Sequence, residues 1–167
     1  TLGLRANDSN DPVQTRLRLI GDLHLGPNVR AYLELGDNRE YGEQFATAPN
    51  RDKLDIYQAF MDVTIPLGET SKITFRPGRF EMPLGNGKLV GVREGLNMRF
   101  TYQGLRATYI LPGKLSVDAF ALRPVAITPD SFDDTGDSSK SFEGVYVSSP
   151  KGIGGIGTDA VSYTHLT

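Results

Sequence analysis

The side chains of this sequence best suited to chemistry are its arginines, and they fall in steps of two. TRLRLIGDLHLGPNVRAYLEL carries Arg16, Arg18 and Arg30, with Asp22 and Glu34 at positions of the same parity. Arg76 lies in KITFRPGRF and Arg106 in YQGLRATYI, while Arg79, Arg93 and Arg99 mark the beginning and end of a long non-alternating stretch. Of the 18 basic residues, 12 are arginine and 6 lysine. Arginine is the planar, permanently charged donor that grips a carboxylate or phosphate through two parallel bonds. The chemistry this implies is exchangeable recognition of anionic groups. The plain alternative is that the arginines pair with Asp22, Glu34, Asp62, Glu81, Glu94 and Asp118 and brace a wall. About half would serve that way, because charges inside proteins are usually paired. The two roles are compatible, since a carboxylate that orients a guanidinium leaves other donors available.

Other chemistry is poorly supported. His24 is the one histidine before residue 161, so neither a nucleophile–histidine pair nor a two-histidine metal site can be assembled. No catalytic residue, metal or cofactor is expected. Gly152-Ile-Gly-Gly-Ile-Gly157 matches G-x-G-x-x-G in form but lacks the flanking strand and helix, and is read as a turn. Asp130, Asp133, Asp134 and Asp137 are not spaced as a calcium loop and are read as a solvated, self-repelling surface loop. With a formal net charge of −2, no global charge argues for nucleic acid. Cysteine is absent, which removes disulfide frameworks and thiolate metal sites.

The elements that must carry these residues read as β-strands, because alternation of apolar and polar residues has the period of an extended chain. In the first, Val13–Leu25, Leu17, Leu19, Leu23 and Leu25 share one face, and Arg16, Arg18, Ile20, Asp22 and His24 the other. Gly26-Pro27-Asn28 then turns the chain into a second strand ending near Gly36. Further strands are predicted over 53–65, 72–80, 102–111, 115–123 and 142–149. A bulge is expected near Tyr57, where the phase of Leu54 and Ile56 changes. Pro77 cannot donate to a ladder, so pairing should be disturbed there. Gly26–Asn28, Pro66–Ser71 and Pro112–Lys114 are short connections, whereas 37–52, 81–101 and 124–141 are long. The aliphatic faces run for about ten residues, the length of a tilted membrane-spanning strand. Short turns at one end and long loops at the other are the pattern of an outer-membrane β-barrel, with the short turns periplasmic and the long loops extracellular. Parity then places Leu17, Leu19, Leu23, Leu33, Leu105, Ala107 and Val117 toward lipid, and Arg16, Arg18, Arg30 and Arg106 on the concave side. The competing architecture is a soluble β-sandwich acting as a carbohydrate-binding or adhesin module, whose aliphatic faces would meet across a core.

The sequence TRLRLIGDLHLGPNVRAYLEL, followed by KLDIYQAFMDV, GKLVGVREGLNMRFTYQGLRATY, LSVDAFALRPV and FEGVYV, resembles the alginate export family of Gram-negative outer-membrane β-barrels. The block from Arg93 to Arg99, with Gln103-Gly104-Leu105-Arg106 after it, is the most specific part. The resemblance implies an all-β, antiparallel up-and-down meander forming part of a transmembrane barrel of roughly 16–18 strands, a size that leaves an aqueous channel. It also implies a non-enzymatic porin that exports an anionic polysaccharide such as alginate across the outer membrane. Such a porin contacts outer-membrane lipid along its wall and meets periplasmic secretion partners at its inner end. On this reading Arg16, Arg18, Arg30, Arg76, Arg79, Arg93, Arg99, Arg106, Asp22, Glu34 and Glu94 line an anion-selective pore.

Val161–Thr167, VSYTHLT, resembles a translated sequencing-library adaptor. The expected organisation is therefore one partial barrel of about seven strands over 1–160 and a non-native tail over 161–167. So few strands cannot close a wide barrel, and an open curved sheet with two unpaired edges is predicted.

Overall fold

The computed structural model describes residues 13–42, 51–85, 87, 91, 97–153 and 156–166. Among them, nine strands form one sheet: β1 (Val13–Leu25), β2 (Val29–Tyr41), β3 (Asp52–Pro66), β4 (Lys72–Phe80), β5 (Tyr102–Ile110), β6 (Ser116–Ala126), β7 (Thr135–Gly136), β8 (Ser141–Ile153) and β9 (Ile156–Leu166). The order is β1-β2-β3-β4-β5-β6-β8-β9, every pair is antiparallel, and the two-residue β7 adds only to the top of β6. This is an up-and-down meander in an open, curved sheet, a partial barrel wall whose end strands β1 and β9 do not meet. Among the described residues no second sheet lies against it, as a sandwich would require.

Short connections fall at one end. The β1–β2 hairpin turns through Gly26 at φ +70°, the β3–β4 turn through Gly68 at φ +83°, and the β5–β6 connection is a single 3-10 turn with Gly113 at φ +79°. The opposite end carries 42–51, 81–101 and 127–140. Strands run further toward this end than hydrophobicity predicts: β2 continues through Asp37–Tyr41 because its backbone pairs fully with Val13–Leu17, whatever the side chains. Alternation of exposure then separates two faces. Leu17 and Leu19 are 70% and 68% exposed, and Leu23, Leu33, Leu105, Met61 and Val145 are also open, with no other element packed on them. Ala107 and Val117 share this outward register and are half-covered.

The inner face is packed. Phe60, Phe80, Phe120, Leu122, Phe142 and Tyr146 cluster on it, joined by Met82 and Leu84 from the segment after β4. Three inward glycines make room for these side chains. A Cβ on Gly78 would lie 2.2 Å from the Ala59 carbonyl, and one on Gly104 2.2 Å from that of Ala121. A Cβ on Gly144 would meet the Phe120 ring at 2.8 Å. Large side chains thus lie flat over glycine on the neighbouring strand, a device that lets a sheet curve. The bulge falls at Tyr57: Glu34 pairs Gln58, Leu35 pairs Ile56, and Tyr57 is left over. The extra residue turns Tyr57 inward, where it is buried, instead of outward with Ala59 and Met61 as unbroken alternation gives. At Pro77 the ladder to β3 lapses between the Phe60–Gly78 and Val63–Phe75 pairs without a change of register, while the ladder to β5 continues.

Two regions differ from expectation. The connection after β8 is a hairpin into a further long strand. Val161–Leu166, set apart in the sequence reading, occupies the second half of β9 opposite Ser141–Tyr146. The free edge of β8 offers unpaired backbone groups that any extended segment of alternating character can satisfy. The segment after β4, expected to be an extracellular loop, sends Met82 and Leu84 onto the inner face, and its Asn97 and Met98 are also buried.

Candidate functional site

Inward parity from four strands brings Arg18, Arg30, Arg76 and Arg106 onto one face, and each is met by a carboxylate of its own or an adjacent strand. Arg30 forms a two-pronged pair with Asp22, at 2.7 and 2.9 Å, and its Nη1 stands 3.6 Å from Asp62. Arg76 makes a second two-pronged pair with the same Asp62, at 2.6 and 2.7 Å. Arg106 donates through Nε to Asp118 at 2.8 Å, and the Thr108 hydroxyl donates to the same oxygen. Arg18 lies with its guanidinium carbon 3.8 Å over the Tyr57 ring and Nη1 3.7 Å from Glu34. Glu34 also accepts from Gln58 at 2.8 Å. Aromatic faces support the row: the Arg76 guanidinium sits 4.1 Å from the Phe60 ring centre and that of Arg30 5.1 Å from Tyr32. Stacking on a ring and pairing with a carboxylate fix a guanidinium in one plane without using all its donors.

Described residues between β4 and β5 reach this face. Tyr57 donates to Glu81 at 2.6 Å, and Arg99 approaches the same carboxylate at 3.5 Å. Asn97 reaches the Thr15 and Arg39 carbonyls of β1 and β2 at 3.4 and 3.5 Å. At the other end, a Cβ on Gly85 would touch the Tyr146 hydroxyl and the Asp159 carboxylate of β8 and β9, at 2.8 and 3.0 Å. The described residues of this segment thus meet both sides of the sheet, Asn97 at β1 and β2 and Gly85 beside β8 and β9. A groove of about 390 Å³ remains toward the short-turn end, lined by Arg30, Asp62, Arg76, Arg106 and Thr74 together with apolar Val29 and Ile110.

Compared with known protein families, the chain matches alginate export over residues 1–163, nearly its whole length. The chain belongs to the alginate export family. Comparison with curated proteins and with solved structures gave no match. The alginate export family is one of outer-membrane β-barrel porins of Gram-negative bacteria, transporters rather than enzymes. The open meander with its uncovered aliphatic face is the wall such a barrel needs.

Of the pore-lining residues predicted from sequence, this alginate export wall gathers Arg18, Arg30, Arg76, Arg99, Arg106, Asp22 and Glu34 on its inner face. Arg16 lies on the same parity of β1 and is exposed. Arg93 and Glu94 lie outside the described residues. Arg79 is not brought to the row: three residues after Arg76, it has the opposite parity. Its guanidinium donates to the Ile56 and Asp134 carbonyls, at 2.8 and 2.9 Å, on the long-loop rim. His24, 3.4 Å from Asp22, is exposed near the first turn.

The rim holds a group that sequence reasoning missed. Of the four loop aspartates, Asp130 pairs with Lys53 at 2.7 Å, and Asp137 with Lys140 at 2.8 Å. Lys53 holds Asp130 below the usual carboxylate range, and Lys140 with Ser139 holds Asp137 down at about 2. Asp133 and Asp134 instead join Asp52 and Asp55 from the start of β3. Burial, followed by the neighbouring carboxylates Asp134, Asp55 and Asp133, pushes Asp52 up to about 8. Burial likewise leads in raising Asp134 to about 6, against the Thr128 amide that donates to it. These groups stand above the exposed aliphatic band, which on β2 gives way to the Asp37–Arg39 ion pair. The signal available in sequence was weak, because about 80 residues separate the two halves of the cluster.

Proposed function

We propose that the inner face is part of the conduit by which this porin exports an anionic polysaccharide, with alginate as the substrate the family assignment favours. The observation that carries this reading is the row Arg18, Arg30, Arg76 and Arg106, opposite an aliphatic face that nothing covers. Uronate carboxylates match the two-pronged geometry these guanidiniums already make with Asp22 and Asp62. A wall carboxylate keeps each arginine in place, and its remaining donors meet the passing polymer. On the same reading the outward leucines contact outer-membrane lipid, the short turns face the periplasm where secretion partners would deliver the polymer, and Met82, Leu84 and Arg99 narrow the passage.

The test is ionic current through barrels assembled around this wall in planar bilayers. Oligouronate added to one side is expected to reduce conductance. Replacing Arg18, Arg30 and Arg106 together by Ser should raise the half-blocking concentration by about tenfold or more. The block should weaken as salt rises, because exposed charges are screened within about 8–10 Å at physiological ionic strength. An unchanged block in the triple variant would make the arginines wall struts and overturn the conduit reading.

A further inference from the structure

We propose that Asp52, Asp55, Asp133 and Asp134 form a divalent-cation site of the calcium class that fastens the β6–β8 loop to the rim of β3. One carboxylate oxygen from each lies within 4.8 Å of the others. That spread is what oxygens on opposite sides of one calcium ion require, at about 2.3–2.6 Å from metal to oxygen. Four carboxylates, binding through one or both oxygens, supply enough of the six to eight ligands calcium takes, whereas magnesium demands a tighter octahedron and retains water. Neither histidine nor cysteine is present for zinc.

Proximity of acids alone would not make a site. The independent observation is Asp52: its side chain is 1% exposed, both its oxygens lack a hydrogen-bond partner, and one of them points into the cluster. Buried polar groups are almost always satisfied. The other members are already oriented. Asp55 accepts from the backbone amides of Asp133 and Asp134, at 2.8 and 3.2 Å, and from that of Ile56 at 2.5 Å. Asp134 accepts from the Thr128 amide at 2.7 Å. Among the described residues one cation approaches: Arg79, with Nη1 3.7 Å from Asp55. With all four acids ionised, it leaves three uncompensated negative charges, which a divalent ion reduces to one. The amides hold the loop against β3 and the ion completes the joint.

The experiment is calorimetric titration of Ca²⁺ into the full chain folded in detergent micelles after chelator treatment. One ion per chain is expected, with a dissociation constant on the order of 10⁻⁴ to 10⁻³ M, the range of extracellular sites. Mg²⁺ should bind about tenfold more weakly or less. Asp52→Asn should abolish binding. Asp133→Asn, at an exposed position that folding tolerates, should weaken it about tenfold. Asp130→Asn, in the same loop but paired with Lys53, should leave it unchanged. Ca²⁺ should also slow proteolysis within 127–136 in the parent and not in Asp52→Asn. Absence of saturable heat in the millimolar range would overturn the proposal and leave a proton-sharing acid cluster. Equal binding of Mg²⁺ would overturn the calcium class, and equal weakening by Asp130→Asn would reduce the effect to diffuse screening.

Discussion

Asp62 serves two arginines, taking both prongs of Arg76 and standing 3.6 Å from Arg30. Its replacement by Asn keeps the shape but removes the charge on which two guanidiniums depend. Breaking a largely buried pair strands its partner, so Asp62→Asn is expected to lower stability by about 2–4 kcal/mol, read by urea unfolding in micelles. It should also strengthen oligouronate block, because Arg30 and Arg76 then look for another carboxylate. At this scale the arginine row was legible, since parity within a strand decides which side chains share a face. The same rule sets Arg79, beside the long loop, on the opposite face of β4 from Arg76. The rim cluster was not legible: its halves meet through loop contacts that no local pattern encodes.

The strands were legible because their alternation is unbroken, and the bulge at Tyr57 because the phase of Leu54 and Ile56 contradicted it. Their upper ends were not, because polar residues such as Asp37–Tyr41 pair through the backbone without an apolar signal. Nor did composition reveal that the chain turns inward just after β4, where Met82 and Leu84 find the aromatic cluster. The glycines of β4 and β5 carry a prediction at this scale. Gly78 and Gly104 face one another, with φ +129° and +154°. A Cβ on Gly104 would strike the Ala121 carbonyl at 2.2 Å, so β5 must shift away from β6. Gly104→Ala should cost more than about 2 kcal/mol. Gly26→Ala, where nothing lies within 4 Å, should cost only the roughly 1 kcal/mol of a left-handed alanine. Unfolding midpoints of the two variants, measured side by side, check the difference.

For the whole molecule, the sheet makes its outward surface from leucines that no described residue covers, and on the proposed porin reading the solvent for that face is lipid. Leu19→Arg is expected to destabilise the folded wall in bilayers by about 2–4 kcal/mol, whereas Arg16→Leu on the other face should not impair insertion. Refolding yields into vesicles measure both, and tolerance of Leu19→Arg would remove the lipid assignment. The carboxylates paired with the arginine row have a consequence of a different kind. Asp22, Asp62 and Asp118 present to the guanidiniums the same group that a uronate would offer, so on the proposed conduit reading the resting wall holds an imitation of its cargo. Exchange of one carboxylate for another is close to isoenergetic, and a polymer bearing many of them needs no deep binding site to displace the imitations one after another. Each displacement raises the local concentration of the next acid along the chain, while a lone chloride has no second prong with which to compete. Such a surface favours polyanions over small anions through repeated weak exchange and lets them slide.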